Sequence, residues 1–273
     1  MNFGKIFHLV GFLMGLLASC TLWVGPLSSQ EALESHGIRF RLIPGGSYFI
    51  GSPPNEAGRY ADEPTPYQVN LKPYYLAETE ITNAQYGRFV KDTGHRPPLY
   101  WRDKNLNAPN QPVVGVTWFD AAAYADWLTR VTGVPHRLPS EKEWEAAARG
   151  GLTSEPYPWG RQAPDAGGVY RANYYPNDFD DDGFRLTAPV GSFPANGFGL
   201  SDMAGNVSEW CLDRFIPEVR PGPFTNPEGR ILKGGSWYSR ARDLRCAARR
   251  FAAPQNADGF IGFRIIRAAP ASP

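Results

Sequence analysis

The chain has 273 residues, with 28 Lys and Arg against 27 Asp and Glu, for a formal net charge of +1 at pH 7. No stretch gathers Lys and Arg into a long basic face, which excludes the electrostatic footprint of a nucleic-acid binder. Its 29 Gly and 26 Pro are spread along the whole sequence, which suits a loop-rich domain of short elements and not a bundle or a doubly wound sheet.

The first residues stand apart from the rest. Lys5 precedes an apolar run over residues 6–18, too short to cross a bilayer and laid out like a secretory signal. It ends Leu17-Ala18-Ser19-Cys20, similar to the lipobox at which bacterial lipoproteins are cleaved and lipidated on the cysteine. The alternative is a plain signal peptide that contains a cysteine. Residues 1–20 are therefore expected to be an export signal with Cys20 as the lipidation position, and residues 21–38 a linker to one domain over 39–269. This places the protein in the periplasm or on the outer membrane, with membrane contact only through such an anchor. Export also lets Cys211 and Cys246, the two remaining cysteines, pair as a disulfide; two separate buried thiols are the alternative.

Within the domain, apolar positions alternate over residues 40–52 around Pro44-Gly45-Gly46, which reads as two short strands and a turn. Further strands are expected at 67–71 and 74–76. Three helices follow with clear punctuation. Thr82 and Gln85 form a capping box, Tyr86, Phe89 and Val90 share a face, and Gly94 stops the helix. The second helix starts at Thr117 with Asp120 in its first turn, turns Ala121, Ala125 and Leu128 inward, and stops at Gly133. The third opens on Pro139-Ser140-Glu141-Lys142-Glu143-Trp144, another capping box, and ends near Gly150. Beyond it the sequence predicts only short strands, at 231–233, 244–248 and 262–267.

At this point the motifs become specific. Pro44-Gly45-Gly46, Glu80-Ile81-Thr82-Asn83, Gly115-Val116-Thr117-Trp118, Arg137-Leu138-Pro139-Ser140-Glu141 and Tyr157-Pro158-Trp159-Gly160 occur in order. They are followed by Asn196-Gly197-Phe198-Gly199-Leu200, Gly205-Asn206-Val207-Ser208-Glu209-Trp210, Lys233-Gly234-Gly235-Ser236-Trp237, Arg245-Cys246-Ala247-Ala248-Arg249 and Gly262-Phe263-Arg264. In this series the chain resembles the formylglycine-generating-enzyme (sulfatase-modifying factor) family. The resemblance implies an α+β fold, an elaborated relative of the C-type lectin fold with little regular secondary structure. Trp118, Trp144, Trp159, Trp210 and Trp237 are then expected mostly in the core.

Asp178-Phe179-Asp180-Asp181-Asp182-Gly183 imitates the start of an EF-hand loop, but the twelfth position is Pro189 where a bidentate Glu is required. The family resemblance implies instead two structural calcium sites. The first would use the side chains of Asn173 and Asp182 with the carbonyls of Tyr174 and Phe184. The second would use the side chains of Asp202 and Glu209 with the carbonyls of Gly205 and Val207.

The copper-dependent members of the family use two cysteines shortly after the Gly-Gly-Ser-aromatic motif, since Cu(I) requires soft thiolates. Matching on that motif puts Ser239 at the first cysteine, and a shortened segment leaves the second without a counterpart. Cys246 belongs to the following motif, where relatives use a structural disulfide. Neither a copper site nor formylglycine generation is expected. His36, His95 and His136 are scattered, so a non-haem iron site is not expected either.

Two functions are left, and no catalytic residue is assigned. One is a binding or regulatory accessory of an envelope system, as family-like domains are in activating a type VI secretion kinase; its partner would be an envelope protein. The other is a periplasmic oxidoreductase of natural-product maturation, similar to the family member that completes the pyoverdine chromophore, acting on a small aromatic or peptidic ligand. For this second function the cleft would be lined by Trp237, Ser239, Arg240, Arg242 and Arg245; solvated surface with ion pairs is the alternative for the arginines.

Overall fold

The helices form where the sequence punctuates them, and their caps are reciprocal. In the computed structural model, which describes Met1 and residues 32–175, 182–216 and 228–270, α1 (Asn83–Thr93) opens on Thr82. The Gln85 backbone N–H donates to the Thr82 hydroxyl, and the Thr82 N–H donates to the Gln85 side chain. Thr117 and Asp120 repeat the exchange for α2 (Trp118–Thr132), and Ser140 and Glu143 for α3 (Glu141–Ala148). Each pair satisfies two N–H groups that a helix start leaves without partners. Gly94 and Gly133 end α1 and α2 in the left-handed conformation, whereas α3 ends on Arg149 in a right-handed one.

Short strands surround these helices. β1 (Ala32–Ser35), β2 (Ile38–Ile43), β5 (Tyr74–Ala77), β6 (His136–Arg137) and β11 (Ile266–Ala268) make an antiparallel sheet in the order β1-β2-β5-β11-β6. β7 (Ser208–Arg214), β8 (Arg230–Lys233), β9 (Arg250–Ala252) and β10 (Ile261–Gly262) make a second, in the order β10-β7-β8-β9. β3 (Gly46–Ile50) and β4 (Tyr67–Leu71) form a separate hairpin. The large sheet packs on α1 and α2 through Phe40, Tyr86, Phe89, Tyr124 and Phe263, and Tyr86 stacks on Tyr124 at 5.7 Å. A second apolar cluster joins Trp144 of α3 to Ile231 and Cys211 of the smaller sheet. Trp144 and Trp210 are fully buried, while Trp118, Trp159 and Trp237 are only partly covered.

Several expectations change. The end of the supposed linker is structured: Ala32 to Ser35 pair with Arg41 to Ile38. The connecting His36 and Gly37 both have positive φ, 53° and 71°, as a tight hairpin turn requires. Leu33 on that strand packs against the main core. The strand expected at 244–248 is absent; a 3-10 turn (Ala241–Leu244) precedes an irregular buried stretch, and β9 begins at Arg250. The expected disulfide gives way to two free thiols. Cys211 and Cys246 pack as small apolar groups in one cluster, where burial pushes the Cys246 thiol up to about 12 and that of Cys211 well above its ordinary value. The export signal with Cys20, and residues 178–181 of the acidic run, lie outside the described residues.

Candidate functional site

The segment that follows Lys233 turns sharply. Gly235 has φ 69°, and a Cβ there would meet Leu244 Cδ2 at 2.9 Å and Asp243 O at 3.1 Å, so a side chain would collide with the turn it packs against. Ser236 and Ser239 then close a tight turn. The Ser239 N–H donates to Ser236 O at 2.9 Å, and the Ser236 N–H donates to Ser239 Oγ at 3.0 Å. Ser239 Oγ also lies 3.2 Å from Ser236 Oγ, and Ser239 O accepts from the Tyr175 N–H at 2.9 Å. Ser239 is therefore a brace of the turn. Its hydroxyl has no neighbouring base among the described contacts.

Around that turn the side chains form an aromatic ladder. Tyr238, 57% exposed, stacks near Tyr175 at 6.4 Å and near Phe260 at 6.1 Å. Trp237 meets Tyr238 edge-on at 5.6 Å and donates its indole N–H to Gly259 O at 3.0 Å. The Arg240 guanidinium sits 4.2 Å from the Tyr175 ring centre. Two residues on, the Arg242 guanidinium sits 3.7 Å from the centre of the Tyr60 ring, and Arg250 approaches the same ring at 4.4 Å. Cations over ring faces are attracted by the aromatic quadrupole. Tyr60, Tyr175 and Phe260 were not among the expected cleft residues. Each comes from a distant loop, and no local pattern marks them.

Arg245 does not line this surface. It is 1% exposed and donates inward to Glu56 at 2.7 Å, to Gly58 O at 2.8 Å and to both oxygens of Glu63. Burial by itself would raise the Glu63 carboxyl, but hydrogen bonds from Arg245 and Ser52 outweigh it and hold Glu63 below its ordinary value. The pair ties the 56–63 loop to the turn. Its role is structural.

The residues expected to bind calcium separate into two cases. Asp182 accepts from the N–H groups of Tyr174 at 2.7 Å and Phe184 at 3.0 Å, which brings three of the four residues of the first set together. Asn173 Oδ1 beside them is buried and has no hydrogen-bond donor. A buried oxygen left without a donor fits a hard cation. The second set does not fit as expected. Both oxygens of Glu209 accept from Arg264, at 2.7–2.9 Å, and Oε2 also accepts from the Trp144 indole at 2.7 Å. An ion there would have to displace a guanidinium that is itself fully buried. Asp202 (φ 57°) accepts from the Gly191 N–H at 2.6 Å. Burial and the charge of Asp202 push the nearby Glu80 carboxyl well above its ordinary value, and burial pushes Asp202 up to about 6. The Glu80, Asp202 and Glu209 carboxyls thus crowd around one arginine at the centre of the fold. Among the described residues no three His, Cys, Asp or Glu side chains are placed to hold a metal ion together.

The three histidines among the described residues are apart. His36 is in the β1–β2 turn, His95 bonds Asp120 at 2.8 Å, and His136 lies in the core with its Nδ1 2.7 Å from Val134 O. No facial triad is assembled from them.

Comparison with known proteins places this geometry. Residues 29–269 match the model of the sulfatase-modifying factor enzyme 1-like domain. The formylglycine-generating enzyme of Streptomyces coelicolor is 36% identical over 280 aligned residues, which cover 81% of this chain and 87% of that one. The serine/threonine-protein kinase pkn1 of Chlamydia caviae is 34% identical over 83% of this chain, but the chain spans only 37% of the kinase. Among solved structures, PvdO from Pseudomonas aeruginosa superposes with a TM-score of 0.76 at 30% identity, covering 88% of this chain and 98% of PvdO.

Proposed function

Since the chain belongs to the sulfatase-modifying factor enzyme 1-like family over residues 29–269, we propose that it is an exported binding or regulatory domain of the cell envelope and does not generate formylglycine. The observation that carries this reading is the fate of the segment after Gly235. Ser239 stands where the resemblance implies a copper thiolate, and it is spent on holding a turn. The thiols of Cys211 and Cys246 are fully buried, and burial opposes the thiolate form that Cu(I) requires. What the surface offers in place of a nucleophile is flat aromatic area and guanidinium groups, which are means of binding. The kinase relative supports a regulatory role, because there the matching stretch is part of a longer serine/threonine-protein kinase. Activation of a membrane kinase in type VI secretion is the concrete form of the proposal.

Likeness to PvdO favours a second reading, a periplasmic oxidoreductase of natural-product maturation whose aromatic substrate would lie along Trp237, Tyr238 and Arg240. A structural calcium ion accompanies either reading, held by the side chains of Asn173 and Asp182 with the carbonyls of Tyr174 and Phe184. Such an ion would supply positive charge to oxygens that the loops bring together without a helix or a sheet.

Affinity capture from a detergent-solubilised envelope fraction, with the purified chain as bait, separates the readings. The binding proposal expects one protein recovered in stoichiometric amount and again in the reciprocal capture. Recovery of no partner, together with oxidation of a catechol-type chromophore precursor by the purified chain, overturns it in favour of the oxidoreductase.

A further inference from the structure

Three guanidinium groups approach the Tyr60 ring, and they differ in how their charge is met. Arg245, 5.9 Å from the ring centre, is buried and paired with both Glu56 and Glu63. Arg250, at 4.4 Å, is paired with Asp243 at 2.7 Å. Arg242, at 3.7 Å, is exposed and makes no ion pair among the described residues. Of the two outer arginines only Arg250 has a carboxylate, which leaves the charge of Arg242 without an ion-pair partner among the described residues.

The platform beneath Arg242 is held rigid. The Tyr60 hydroxyl donates to Asp243 Oδ1 at 2.7 Å and accepts from Arg250 Nη2 at 2.6 Å. The Tyr60 N–H donates to Glu63 Oε1 at 2.9 Å, which fastens the ring to the buried Arg245 pair. Gly58 lies under the Arg242 stem, where a Cβ would come within 3.2 Å of Arg242 Cβ. A guanidinium seated on a ring face keeps its N–H groups in its own plane, directed away from the ring. The stack also removes rotamer freedom before any ligand arrives, which lowers the cost of ordering on binding.

We propose that Arg242 on Tyr60 is a carboxylate-reading position, and that the partner presents an acidic peptide segment to it. This rests on the binding reading above and names the chemistry of the partner. A planar guanidinium with a free edge matches a carboxylate through two parallel hydrogen bonds. The surplus of a single charge, with Asp243 alongside, suits a singly charged carboxylate better than a doubly charged phosphate. The ladder of Tyr238, Tyr175 and Phe260, which begins two residues before Arg240 and four before Arg242, supplies apolar area for the rest of such a segment.

The test is calorimetric titration of the full chain with an N-acetylated, C-amidated oligoglutamate peptide, repeated with inorganic phosphate as the titrant and as a competitor. Arg242→Ala is expected to weaken peptide binding by about tenfold, and Arg242→Lys to recover only part of it, because a lysine lacks the fork. Arg161→Ala, which alters another exposed arginine, should leave the affinity unchanged. Melting curves should coincide for all four proteins, which keeps a folding defect from imitating the result. Absence of peptide binding overturns the proposal, as does equal weakening by Arg161→Ala or displacement of the peptide by equimolar phosphate. If Arg242→Ala captures the envelope partner as well as the parent chain does, this inference falls while the binding function stands. If no partner is captured but the peptide still binds through Arg242, the reverse holds.

Discussion

Arg242 and Arg245 stand three residues apart in one segment, and their surroundings are opposite. Arg245 is 1% exposed and returns five hydrogen bonds to the chain, four of them to the 56–63 loop. Arg242 is exposed, and its guanidinium sits over a tyrosine ring, 3.7 Å from its centre. One builds the fold, and the other is open to solvent. The difference teaches that in this domain the charge of a residue says little about its role until its partners are known. The partners come from far away: Glu63 lies 182 positions before Arg245.

The sharpest way to break this comparison is to remove the buried charge. Arg245→Ala leaves Glu63 buried without its counter-ion and should cost about 3–5 kcal/mol in urea denaturation. A loss near zero would mean that the pair contributes no more than a surface contact.

Histidine 136 extends the comparison to a buried group with no charged partner. Burial lowers the His136 pKa from 6.5 to about 4, and its Nε2 has no hydrogen-bond partner. Below pH 6.5 the unfolded chain takes up a proton that the folded chain refuses until about pH 4. Stability should therefore fall as pH drops through that window. Between pH 6.5 and 4 the melting temperature of the parent chain should fall more steeply than that of His136→Phe. Parallel slopes would remove His136 from the account.

A buried oxygen without a donor is the third case. If Asn173 Oδ1 binds calcium together with Asp182, a chelator should lower the melting temperature and added calcium restore it. Asn173→Ala should be less stable and insensitive to both treatments. An Asn173→Ala protein that still responds to the chelator would place the ion elsewhere. The smallest effect belongs to Arg242 itself: Arg242→Ala should change unfolding stability by less than about 0.5 kcal/mol, as exposed substitutions usually do.

The sequence carried the helices well because their signals are local. Thr82 with Gln85 and Ser140 with Glu143 are capping boxes that act within one turn, and the structure makes every bond they imply. The family motifs carried the α+β fold in the same way. What was illegible depended on distance. β7 is the longest strand among the described residues, yet residues 208–211 are all buried, so no alternation marks it. Glu209 inside it is polar and wholly buried because Arg264 neutralises it from 55 positions away. The β1–β2 hairpin was hidden for a different reason: Ala32 to Ser35 are short and half-exposed, and only pairing with β2 makes them a strand. At the surface, Trp237, Arg240 and Arg242 were found from the motif they follow. Tyr60 and Tyr175, on which the two arginines rest, had no signal at all.

The central proposal is that this chain has the family's fold but does not generate formylglycine, since Ser239 stands where the resemblance implies a copper thiolate. Its most direct test is to incubate the purified protein, supplied with Cu(I), oxygen and reductant, with a sulfatase-type peptide containing the target cysteine, and to follow that peptide by mass spectrometry. The account predicts an unchanged peptide under conditions in which the Streptomyces coelicolor enzyme converts it. Appearance of the formylglycine product would contradict the account.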